Sequence, residues 1–247
     1  MENYNLTERQ EKLLKNIVEE YIKRVEPISS DFLQKKYYKD ICPATIRIEM
    51  KKLTDRGYLY QPHTSAGRVP TDKSYRFFVD NLLEKELKYP IDFEINKEKL
   101  FKKEDDIFQI IQYLTRFIAK KTRMLAVSYL LNEDFLWKEG WEEILREPEF
   151  EKRDYVLSFA EFLERFENHI EKYIKEFKKD EGINVFIGEE NPLPEAEDFS
   201  IIFSSCCLIK NEKGIISILG PKRMPYKRNL ELINSLIKEL KEENINK

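Results

Sequence analysis

The sequence is poor in the residues from which small catalytic and metal centres are built. Of 247 residues only three are cysteine (Cys42, Cys206 and Cys207), and two of these are adjacent, which excludes a disulfide framework. There are two histidines, His63 and His169, and no Cys-x-x-Cys pair, so a zinc site is not expected. The seven glycines are scattered, and neither a dinucleotide fingerprint nor a phosphate-binding loop is present. No cofactor is expected. No stretch of 18 apolar residues occurs, which excludes a membrane-spanning helix. The first residues, Met1-Glu2-Asn3-Tyr4-Asn5, lack the basic and apolar segments of a secretory signal. A reducing, cytoplasmic location is the expectation.

What is present is charge and a moderate apolar fraction. Charged residues make up 36% and apolar residues 41%, enough to form a core. The net charge of −3 is unevenly placed. Residues 1–80 carry 15 Lys/Arg against 12 Asp/Glu, whereas residues 81–247 carry 28 against 34. A basic head on an acidic body fits a nucleic-acid-binding module fused to a second domain.

The head has helical punctuation. Thr7-Glu8-Arg9-Gln10 matches a capping box ahead of an apolar stripe of Leu13, Leu14, Ile17, Val18, Tyr21 and Ile22. Ser29 or Ser30 caps a short second helix through Phe32 and Leu33. Pro43 opens a third, running to about Arg56 and stopping at Gly57. Tyr58-Leu59-Tyr60, a polar turn over residues 61–68, and Val69 then read as a hairpin. Three short helices followed by such a hairpin predict a winged helix-turn-helix. At 100° per residue Ile46, Met50 and Leu53 face the core. Ala44, Ile48, Lys51, Lys52 and Asp55 face outward, with Thr45 and Arg47 on the flanks. That outer face suits a major groove. Ile48 either meets a thymine methyl or packs under the wing or another chain. At the hairpin tip His63, Thr64 and Ser65 can bind phosphate, Gly67 permits close approach, and Arg68 can lie along the backbone or enter a minor groove. His63 and Ser65, two apart on an exposed turn, make a poor catalytic dyad.

In the body, Asn81–Asn96 is polar and broken by Pro90, as a linker would be. Ile107, Ile110, Ile111, Leu114, Phe117 and Ile118 mark an amphipathic helix, and Leu125–Leu130 a strand. Trp137, Trp141 and Ile144 read as a short helix ended by Pro148. Val156 to Phe177 repeats apolar residues at steps of three and four; the stripe is too wide for a two-stranded coil, so this helix should pack inside its own domain. His169 lies within it. Ile183–Ile187, Phe199–Leu208 and Ile215–Leu219 are β-rich, with a turn at residues 211–214, and Leu230, Ile233, Ile237 and Leu240 mark a last helix. Cys206 and Cys207 read as small core residues. The acidic loops around Glu189-Glu190 and Glu195–Asp198 carry no catalytic pattern, so no enzymatic activity is expected.

Several of these stretches resemble the heat-inducible transcription repressor family HrcA. They are Thr7-Glu8-Arg9-Gln10, Pro43-Ala44-Thr45-Ile46-Arg47, the run Gln61-Pro62-His63-Thr64-Ser65-Ala66-Gly67-Arg68-Val69-Pro70-Thr71-Asp72-Lys73, and Tyr75-Arg76-Phe77. Residues 139–150, Ile187-Gly188-Glu189-Glu190-Asn191-Pro192 and Leu219-Gly220-Pro221-Lys222-Arg223-Met224-Pro225-Tyr226 resemble it further on. The resemblance implies an α+β architecture: a winged helix-turn-helix at 1–80, a linker at 81–98, and a reduced GAF-like domain at 99–247. It also implies a repressor of chaperone genes that binds an inverted-repeat (CIRCE-type) operator in double-stranded DNA, acts as a homodimer, is supported by the chaperonin, and is released by heat. The DNA-binding set is then Pro43, Ala44, Thr45, Arg47, Ile48, Lys51, Lys52, His63, Thr64, Ser65 and Arg68. The alternative is a regulator whose C-terminal domain senses a metabolite. Three features depart from the family. Cys42 replaces a serine cap, Ile48-Glu49 replaces Asn-Asp, and Leu125–Leu130 runs almost directly into Phe135, where members carry an inserted dimerisation segment and more of the sheet.

Overall fold

The Thr7 hydroxyl accepts the Gln10 amide at 3.3 Å while the Gln10 side chain accepts the Thr7 amide at 3.2 Å, so the capping box forms as written. It starts α1 (Glu8–Arg24), which ends with Val25 in a left-handed conformation. Ser29 caps α2 (Ser30–Tyr37) through the Phe32 amide at 3.1 Å. α3 (Pro43–Asp55) has proline at its start and no side-chain cap from Cys42, and Gly57, at φ 78°, turns the chain out of it. The chain then forms β1 (Leu59–Tyr60) and β2 (Val69–Pro70), an antiparallel pair, and α4 (Asp72–Asn81). The computed structural model describes residues 6–86, 106–171, 173, 182–208 and 212–245. It divides the chain into two units, 1–84 and 85–247.

The first unit closes around Leu14, Ile17 and Val18 of α1, Leu33 of α2, and Ile46, Met50 and Leu53 of α3, with Phe77, Phe78 and Val79 of α4 also buried. No sequence signal had marked α4. Its leading Thr71 does not cap it but donates its hydroxyl back to the carbonyls of Gly57 (2.7 Å) and Tyr58 (2.9 Å), tying the helix to the end of α3. Residues 82–86, read as the start of a linker, form a helical turn with Leu82 buried. The rest of that stretch, to residue 98, falls outside the described residues.

The second unit begins with α5 (Ile107–Thr122), capped by Asp106. Next come β3 (Leu125–Leu130), β4 (Phe135–Glu139), α6 (Trp141–Ile144), α7 (Arg153–Asn168), β5 (Ile183–Ile187), β6 (Phe199–Cys207), β7 (Lys213–Pro221) and α8 (Tyr226–Ile245). The strands make one antiparallel sheet in the order β4-β3-β7-β6-β5. The unit is an α+β, GAF-like arrangement.

Alternation along the strands divides the sheet into two faces. Leu125, Val127, Ile201, Phe203, Ile215 and Leu219 join an aromatic core with Phe159, Phe162, Leu163 and Phe166 of α7, in which the Phe162 ring stacks on Phe199 at 5.2 Å. α7 thus packs within its own unit, as its wide stripe predicts. The other face mixes small residues with Leu130, Ile202, Ile216 and Ile218, and there the hydroxyls of Thr115 of α5 and Ser128 lie 2.8 Å apart. Ser200 likewise meets the Tyr226 hydroxyl of α8 at 2.7 Å.

Two sequence expectations fail here. Trp137 lies in strand β4, paired with Ser128, and not in a short helix; Gly140, at φ 110°, separates that strand from α6. His169 caps the end of α7, and its Nδ1 lies 2.9 Å from the Arg165 carbonyl. The stripe positions Ile174 and Phe177, the turn at 209–211 and the side chains of Cys206 and Cys207 fall outside the described residues.

Candidate nucleic-acid interface

α3 presents the candidate surface because its inner face is consumed by the core. With Ile46, Met50 and Leu53 buried, the 3.6-residue repeat leaves Ala44, Arg47, Ile48, Lys51, Lys52 and Asp55 exposed, with Pro43 and Thr45 half-buried. Ile48 is 56% exposed, so it does not pack under the wing. Among the described residues Lys51 has no acidic partner. Lys52 bonds Glu49 at 2.8 Å, and Arg47 donates to the Ser30 hydroxyl of α2 at 3.4 Å.

Glu49 turns away from this surface. Its carboxylate accepts from Gln10 of α1 at 3.0 Å, and the Lys52 hydrogen bond, outweighing partial burial, holds its pKa below the ordinary carboxylate value. It ties α3 to α1. The departure Ile48-Glu49 therefore puts an apolar side chain on the outer face and an anchor on the inner one.

At the hairpin tip His63, Thr64 and Ser65 are all exposed. Gln61 frames the turn by donating to the carbonyls of Thr64 and Ala66, both at 2.9 Å. Arg68 differs from its expected role on a free tip. It sits half-buried at the root, its backbone bridging Ile28 in both directions (2.8 and 2.9 Å) and its Nε donating to Thr54 of α3 at 3.1 Å. A Cβ on Gly67 would lie 2.4 Å from the Ile28 carbonyl, so only glycine lets this bridge close.

Three polar groups escaped the sequence reading. Glu20, almost fully buried, accepts from Tyr37 (2.6 Å) and Lys36 (2.8 Å) of α2. Burial works against its charge, but these partners prevail and lower its pKa. Thr54 is a helix residue with no motif around it. In the second unit Arg223, 7% exposed, bonds Glu149 through two nitrogens (2.5 and 2.6 Å) and Glu147 at 2.7 Å. Burial alone would lower its pKa, and the two carboxylates raise it instead. The stretches 146–150 and 219–226, which resemble the family separately, thus meet at one guanidinium. Partners 74 and 76 positions away leave no local signal.

An exposed cationic helix beside a polar hairpin, joined to an α+β unit, is the layout of a transcription regulator. Comparison with known proteins makes the class specific. The family model "HrcA protein C terminal domain" matches residues 73–230. The heat-inducible transcription repressor HrcA of Natranaerobius thermophilus is 30% identical, covering 96% of each chain. That of Alkaliphilus metalliredigens is 42% identical over 123 residues, 50% of this chain and 36% of its own. A solved structure described as a hypothetical protein superposes with a TM-score of 0.73 at 22% identity, over 97% of this chain and 98% of that one, and so shares the fold. The chain belongs to the heat-inducible transcription repressor HrcA family. The Natranaerobius alignment spans 335 positions against 247 residues here, so at least 88 positions of that relative have no counterpart.

Proposed function

We propose that the protein is a heat-inducible transcription repressor that binds an inverted-repeat operator of the CIRCE type in double-stranded DNA. The observation that carries this reading is the outer face of α3, where Ala44, Arg47, Ile48, Lys51 and Lys52 are exposed, with Pro43 and Thr45 half-buried at its start. The first unit is read as a winged helix-turn-helix. Its third helix enters the major groove, and His63, Thr64, Ser65 and Arg68 of the wing hold the phosphate backbone. Two copies bind together, because a two-fold operator mirrors a two-fold dimer. The protein acts in the cytoplasm without enzymatic activity, the chaperonin supports its active state, and heat shifts it to a state that releases DNA.

Fluorescence anisotropy of a labelled inverted-repeat duplex during a temperature ramp tests this. Release should precede or coincide with loss of the folded signal and reverse when the chaperonin is added on cooling. Affinity that is equal for random duplex at every temperature refutes it. A second reading, metabolite sensing, rests on an open cleft of about 500 Å³ lined by Tyr129, Asp134, Leu136, Glu167, His169 and Ile170. A metabolite that raises the melting temperature and changes operator affinity would favour it.

A further inference from the structure

We propose that Thr54 is a positioning residue that, acting through Arg68, sets the wing relative to α3 when the protein holds DNA; this rests on the DNA-binding reading above. Thr54 stands in the last turn of α3, half-buried, on the flank of the groove-facing side. Its hydroxyl proton goes to the Met50 carbonyl at 3.0 Å, which fixes the rotor and aims a lone pair at the Arg68 Nε, 3.1 Å away. Arg68 is held independently by its two backbone bonds to Ile28, and the missing Cβ of Gly67 permits that approach. One residue therefore joins three elements: the segment ahead of α2, the returning strand of the wing, and the end of α3.

The chemistry is directional. A guanidinium pinned through Nε keeps its two Nη groups as a planar fork, the geometry that matches two oxygens of one phosphate. Among the described residues neither Nη has a partner. An unpinned arginine at the same place would hold the same charge but lose rotamer freedom on binding. Thr54 thus contributes orientation without charge, and Arg68 contributes both.

The two roles separate by salt dependence. With a duplex recovered by selection from a random library, Arg68→Ala should weaken binding and reduce the slope of log affinity against log salt by about one unit. Thr54→Val should weaken binding about tenfold with the slope unchanged, and Thr54→Ser, which keeps the hydroxyl, should restore wild-type affinity. In the Arg68→Ala background Thr54→Val should have no further effect. Additive losses, a slope change on Thr54→Val, or no rescue by serine would each overturn the assignment. Melting curves of the variants identify any loss caused by unfolding, and the serine variant retains the test in that case. A wild-type chain that binds no duplex would refute the DNA-binding reading itself.

Discussion

Arg223 is the guanidinium that Glu147 and Glu149 share among the described residues, and replacing it by methionine removes it from both. The arginine is 7% exposed and the two carboxylates 19% and 22%, so water replaces only part of what is lost. Breaking a buried pair by deleting one partner costs about 3–5 kcal/mol, and the partial exposure of the glutamates places this case near about 3. For a unit of this size about 1 kcal/mol moves the melting temperature by roughly 2–4 °C, so Arg223→Met should lower it by roughly 6–12 °C. Differential scanning calorimetry of the full chain reads the shift. The cause is tested by adding Glu147→Gln and Glu149→Gln. If stranded charge is the cost, the triple variant should recover at least half of the loss, because uncharged amides are cheaper to bury than unpaired carboxylates. A shift below about 2 °C, or a triple variant no more stable than the single one, refutes the reasoning. Operator affinity at low temperature should be unchanged in both the single and the triple variant.

Three further outcomes follow from the first unit. Ile48→Asn should alter base preference at one position per half-site, while affinity for random duplex and stability stay within about 0.5 kcal/mol of wild type, as measured by competitive binding and melting; an equal loss on random DNA would mark Ile48 as structural. Gly67→Ala should destabilise the unit by about 1–3 kcal/mol through its clash with the Ile28 backbone, read by urea unfolding. Glu20 has a lowered folded-state pKa, so its contribution is fully present above the unfolded-state carboxylate value and is lost as pH falls through the folded one. Wild type should therefore lose more stability than Glu20→Gln when urea midpoints at pH 7 are compared with those near pH 3.

The parts of the fold that were legible in the sequence rest on neighbours three or four residues apart. The Thr7–Gln10 box, the Ser29 cap and the α7 stripe from Val156 to Phe166 are local signals, and each formed where the spacing placed it. β4 was misread because Trp137 and Trp141 stand four apart, as on one helical turn, whereas pairing of Trp137 with Ser128 decided the conformation. α4 was missed because Thr71 gives up its cap role to bond across to Gly57 and Tyr58. At the candidate site, the exposed face of α3 follows from periodicity alone. The anchoring of Arg68 by Thr54 and Ile28 is tertiary, and no spacing rule reports it. The Arg223 cluster joins residues more than 70 positions apart, so only folding reveals why those two stretches belong together.

Selection of bound sites from a random duplex library, using the full chain at moderate salt, tests the central claim most directly. The account predicts enrichment of an inverted repeat whose half-sites are separated by whole helical turns, with affinity that falls steeply as salt rises. Recovery of no motif, or of one that is unchanged when Ile48, Lys51 and Lys52 are all replaced by alanine, would contradict it.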